Sequence, residues 1–96
     1  MAWSETGDIS KMNPVKVKSY PRAALSHFGR NVAALRRKAG MTQEGLAEKI
    51  DINIRHLQKI EAGEVSPSFG SILRLRAAFH VSWNELFIGC DPAARG

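Results

Sequence analysis

Apolar residues at Leu25, Phe28, Val32, Leu35 and Ala39 recur at steps of three and four, the spacing of one face of a helix. Gly40 suits the left-handed cap that ends such a helix, so the pattern predicts a first helix over residues 23–39. Thr42 can accept from the free amides of a second, about Gln43 to Ile50, whose inward residues are Leu46, Ala47 and Ile50. Only Asp51-Ile52-Asn53 intervenes before a third. Asn53 is its cap, Leu57 and Ile60 face inward, and Gly63 stops it. Ser66-Pro67-Ser68 opens a fourth helix with the proline in the first turn, where its missing N–H had no partner to lose. Ile72, Leu73, Leu75 and Phe79 supply apolar surface along it. Ser82-Trp83-Asn84-Glu85 has capping-box spacing and predicts a fifth helix from about Trp83 to Ile88. Nothing reads as a strand or an internal repeat. The expected fold class is all-α, a bundle of five short helices over residues 23–88, with a C-terminal tail over 89–96. Residues 1–22, holding Pro14, Pro21 and scattered lysines without helical period, are expected to form a basic flexible arm.

A length of 96 residues allows one domain and not two. With 44% hydrophobic and 24% charged residues the chain is apolar enough to fold. It contains no run of roughly 18 apolar residues, and its polar start, MAWSETGDIS, lacks the apolar segment of a secretory signal. The expected location is the cytoplasm, with no membrane contact. Cys90, the single cysteine, has no partner for a disulfide and no companions at metal-ligand spacing, and reads as a spare thiol. Charge changes the picture more. The net charge is +5, and no acid stands between Asp8 and Glu44, where Lys11, Lys16, Lys18, Arg22, Arg30, Arg36, Arg37 and Lys38 all lie. Polyanions are the natural partners of such a stretch, although a solvated face or an anionic membrane surface would suit the same charge.

The segment Gln43 to Ala62, QEGLAEKIDINIRHLQKIEA, narrows the choice. Two short helices joined by three residues must cross steeply, which requires apolar residues at the joint and a small one where the backbones approach. Leu46, Ile50, Ile52, Leu57 and Ile60 meet the first demand and Ala47 the second. From about residue 25 to 87 the chain resembles the phage-repressor, Cro and XRE family of helix-turn-helix domains, with a lambda-repressor-like fold. The resemblance rests on G-x-T-Q, L-A, the apolar joint, I-E-x-G, a proline-led fourth helix and V-S-x-x-E-L in that order. The chain departs from it at Asp51 and His80, where glycine is usual, and at Arg76, where a small residue is usual. Aspartate is among the few residues that tolerate the positive φ of the first of these sites.

The resemblance implies sequence-specific binding of double-stranded DNA by a transcriptional regulator, with a recognition helix from Ile54 to Ala62 in the major groove. With Leu57 and Ile60 inward, helical spacing leaves Arg55, Gln58 and Lys59 outward and Ile54 at the leading end. Arg55 suits guanine, Gln58 adenine and Ile54 a thymine methyl, while Lys59 suits a base or a phosphate. Gln43 matches the family's phosphate-contacting glutamine at a helix N-terminus. Arg36 matches an arginine that pairs with the glutamate of I-E-x-G, here Glu61, so its expected role is structural. Arg37 and Lys38 are expected at phosphates, and Lys11, Lys16 and Lys18 either track the DNA or stay solvated. The bland alternatives are a solvated Gln58 and a His56 turned to the joint or to solvent.

Catalysis is not expected: His27, His56, His80, Ser71 and Cys90 show no spacing that sets a nucleophile beside a base, and no cofactor or metal is implied. An antitoxin that binds a partner toxin and autoregulates its operon is the competing class, because relatives of the fold include such proteins. Family habit also implies a homodimer on an inverted-repeat operator. Trp83, Phe87 and Ile88 are candidates for its interface, being more apolar surface than a short terminal helix buries alone. The alternative is that Trp83 and Phe87 close the monomer core.

Overall fold

Four of the five helices begin at a polar cap, and the computed structural model, which describes residues 22–90, shows each cap engaged. The helices are α1 (Arg22–Lys38), α2 (Gln43–Lys49), α3 (Ile54–Glu61), α4 (Phe69–Phe79) and α5 (Trp83–Phe87). Thr42 Oγ1 accepts from the Gly45 amide at 2.9 Å and Asn53 Oδ1 from the Arg55 amide at 2.7 Å. At α5 the box is reciprocal: Ser82 Oγ accepts from the Glu85 amide and Glu85 Oε1 from the Ser82 amide, each at 3.1 Å. Such caps contribute about 1 kcal/mol apiece. Two turns close with side-chain-bearing residues in the left-handed region, Asp51 at φ 59° and His80 at φ 55°. No strand occurs among the described residues.

The core gathers Phe28 and Val32 of α1, Leu46 and Ala47 of α2 with Ile50 behind them, Leu57 and Ile60 of α3, Leu75 and Ala78 of α4, and Leu86 of α5. α1 lies across the C-terminal end of α3 with backbone close to backbone. A Cβ on Gly29 would run into the carbonyls of Ile60 and Glu61, so only glycine fits there. At the far end of the bundle, Asn31 Nδ2 donates to the carbonyls of Leu86 at 3.0 Å and Ile88 at 2.9 Å, fixing the last turn of α5 to α1. Arg74 of α4 donates to the Ile50 carbonyl at 3.1 Å, satisfying a free acceptor at the end of α2.

Three expectations change. Ala39 lies beyond α1 and is exposed, while Gly29 and Ala33 take the buried positions instead. Pro67 precedes the helix rather than sitting in its first turn: Ser68 Oγ accepts from the Ser71 amide at 3.0 Å, so Ser68 is the cap and Phe69 the first helical residue. Along α4 the inward stripe is Ser71, Leu75 and Ala78, and Leu73 is exposed. Ser71, whose hydroxyl lies 3.0 Å from Ser68 Oγ, carries no unmet polar atom inward. Among the described residues no helix is long and apolar enough to cross a membrane.

Candidate nucleic-acid interface

α3 packs on α1 and α2 with one side and leaves the other outward. Leu57 and Ile60 are fully buried, whereas Arg55, Gln58 and Lys59 are exposed. Ile54 is half-buried and packs against the core cluster, so only part of its side chain faces outward. His56 is half-buried as well.

Behind this face lies a polar chain. Arg36 Nε meets Glu61 Oε2 at 2.8 Å and its Nη2 meets Oε1 at 3.2 Å, a two-pronged pair with side chains only 11% and 6% exposed. Arg36 Nη1 donates in addition to the Met41 carbonyl at 3.0 Å, tying the pair to the turn after α1. Glu61 Oε1 also accepts from Gln43 Nε2 at 2.9 Å, and Gln43 Oε1 accepts from Gln58 Nε2 at 3.3 Å. The buried ion pair is thus joined through one glutamine to a residue on the outer face of α3. Gln43 is engaged at both ends of its amide.

Two hollows flank the ridge formed by Gln58 and Ala62. The larger, an open groove of about 590 Å³, runs between α3 and α1 and is lined by Arg30, Ala33, Ala34, Arg37, Gln43, Gln58, Glu61 and Ala62. The other is lined by Arg55, Gln58, Lys59, Ala62 and Glu64. Arg37 therefore borders the outer face of α3. Lys38, expected beside it, lines a separate hollow with Leu35, Phe79, Val81 and Glu85, because one residue step turns a helical side chain by about 100°. Arg30 was not among the expected contacts, yet it sits on the same groove as Arg37. The signal was in the sequence: seven residues, or two turns, separate them. Lys11, Lys16 and Lys18 lie outside the described residues.

The dimer candidates are partly occupied within the chain. Phe87 stacks on Phe28 with ring centres 5.5 Å apart, and Trp83 on Phe87 at 6.0 Å, with the Arg76 guanidinium 4.7 Å from the Trp83 ring centre. Arg76, unusual for its position, thus has a cation–π partner. Trp83, Phe87 and Ile88 nevertheless remain 39%, 38% and 60% exposed. Among the described residues no group of His, Cys, Asp and Glu side chains is placed to hold a metal ion.

Known proteins resemble this chain in sequence and fold. The chain is 36% identical over 59 residues to the uncharacterized HTH-type transcriptional regulator YazB of Bacillus subtilis, covering 62% of this chain and 86% of that protein. Its structure matches the restriction-modification controller protein C.AhdI from Aeromonas hydrophila with a TM-score of 0.64 at 32% identity, over 68% of this chain and 98% of that one. A hypothetical transcription factor from Neisseria, NHTF, shares the fold with a TM-score of 0.61 at 20% identity, over 86% of this chain and 95% of its own. The helix-turn-helix family model matches residues 32–86, more than half of the sequence, and takes in α2, α3 and the Arg36–Glu61 pair. The chain belongs to the helix-turn-helix family.

Proposed function

We propose that this chain binds double-stranded DNA sequence-specifically and regulates transcription, with α3 in the major groove. The observation that carries the reading is the outer face of α3, where Arg55, Gln58 and Lys59 are exposed while the one acid on their helix, Glu61, is neutralised by Arg36. The likeness to YazB and C.AhdI, named respectively a transcriptional regulator and a controller protein, supports the same function.

In this reading Arg55 takes the two acceptors of guanine. Gln58 commits one amide hydrogen to Gln43, which leaves its other hydrogen and its oxygen for the donor–acceptor pair of adenine. Ile54 offers its exposed edge to a thymine methyl, Lys59 reaches a base or a phosphate, and Gln43 and Arg37 hold the backbone. Lys38, on its separate hollow, falls outside this interface. Two copies pair through Trp83, Phe87 and Ile88 and read an inverted repeat, because one recognition helix covers too few base pairs for useful specificity. Selection of bound sites from a random duplex pool tests the reading. The expected outcome is one recurring half-site in inverted pairs; a pool that gains no sequence over successive rounds overturns it.

A further inference from the structure

We propose that the groove between α1 and α3 seats the sugar-phosphate backbone of one DNA strand, and that Arg30 is a phosphate-binding residue there alongside Arg37. The inference rests on the DNA-binding reading above and extends it to a residue and a surface outside the helix-turn-helix itself.

Four observations carry it. Arg30, Ala33, Ala34 and Arg37 follow helical spacing along one stripe of α1, and all four line the groove. The arginines stand about 10.5 Å apart along the helix axis, seven residues at roughly 1.5 Å each, far enough to meet different phosphates of a strand whose phosphates rise about 3.4 Å apart. Between them α1 presents only the methyl groups of Ala33 and Ala34 to the groove. Finally, the field is positive. The groove's one carboxylate, Glu61, is held by Arg36 and Gln43, which leaves the two exposed guanidinium groups uncompensated within it.

The ridge geometry fixes what fills such a groove. Gln58 and Ala62 divide it from the hollow of Arg55 and Lys59, so a duplex that takes this ridge into its major groove lays one bordering strand on the side of α1. Arg30 Nη2 comes within 3.5 Å of His27 Nδ1 on the exposed surface, a contact at the outer limit of hydrogen bonding. A guanidinium has five N–H donors, and those remaining can grip phosphate oxygens.

The test uses the full chain with Arg30→Gln, Arg30→Lys and Lys38→Gln, each titrated on the selected site and on a scrambled duplex across a salt series. Neutralising one phosphate contact lowers the slope of log affinity against log salt by about 0.9. The deficit of Arg30→Gln against wild type therefore shrinks about eightfold as salt rises tenfold, equally on both duplexes. Arg30→Lys keeps the charge and restores the slope. Lys38→Gln, one residue beyond Arg37 on another hollow, leaves it unchanged. Ethylation interference on the selected site should lose one or two phosphates bordering a half-site with Arg30→Gln and no others. A wild-type slope and interference pattern in Arg30→Gln overturn the proposal while leaving DNA reading intact. Failure of wild type to select any duplex sinks the DNA-binding reading itself and is recorded before any variant is made.

Discussion

Glu61 receives three donors, two from Arg36 and one from Gln43, and it is the point at which the interior and the outer face of α3 meet. Removing one member of such a buried pair leaves the other uncompensated, at a cost on the order of 3 kcal/mol. Arg36→Met should lower stability by about that amount in urea denaturation; unchanged stability with weakened DNA binding would assign Arg36 to the DNA instead. Gln43→Ala removes a neutral contact, so it should weaken binding with little change in salt slope. It also frees Gln58, so discrimination should relax at the base pair Gln58 reads, which titration against single-base variants of the site would detect. Equal losses on every variant would limit Gln43 to backbone contact. The pairing of Arg36 with Glu61 was legible through family resemblance, since the motif carries both residues. The link from Gln43 to Gln58 was not, because it depends on the angle at which two helices cross, and no spacing within either helix encodes that angle.

Helix by helix, legibility followed the clarity of local signals. Thr42, Asn53 and Ser82, named as caps by residue type, each bond the helix that follows, because Ser, Thr and Asn carry an acceptor at the right reach. α4 is the exception in its facing. Apolar residues occupy most of its sides, so Ile72, Leu73 and Phe79 offered no single stripe, and the buried one is Leu75 flanked by the small Ser71 and Ala78. Close approach of backbones explains Gly29, whose spacing in α1 carried no signal of its own. Gly29→Ala should destabilise by about 1–3 kcal/mol through overpacking against the carbonyls of Ile60 and Glu61, despite alanine's better helix propensity. A thermal melt at or above the wild-type temperature would show that α1 and α3 separate without cost.

Among the described residues the exposed large apolar side chains lie on α4, on α5 and at Ile88 just beyond it, while the ridge of Gln58 and Ala62 is at α3 and the groove arginines are on α1. Ile88, 60% exposed and just past the end of α5, is the least committed of the dimer candidates to the monomer's own packing. Ile88→Glu should therefore leave the monomer folded, abolish self-association in sedimentation, and weaken binding to an inverted repeat far more than to a single half-site. A variant that still sediments as a dimer would move the interface elsewhere, with Phe69 and Leu73 of α4 the remaining exposed apolar pair.

The two hydrogen bonds from Asn31 to the end of α5 bear on this arrangement. They join the proposed dimer contact directly to α1, the helix that carries Arg30 and Arg37, and α1 in turn lies on the recognition helix with no side chain at Gly29 to act as a cushion. In the proposed dimer, packed contacts therefore run all the way from the α5 end to α3. DNA turns once in about 10–10.5 base pairs, so adding a single pair between two half-sites rotates one against the other by roughly 35°. Lengthening the spacer of an inverted repeat by one pair should therefore weaken binding by the proposed dimer, which titration on the two duplexes would measure.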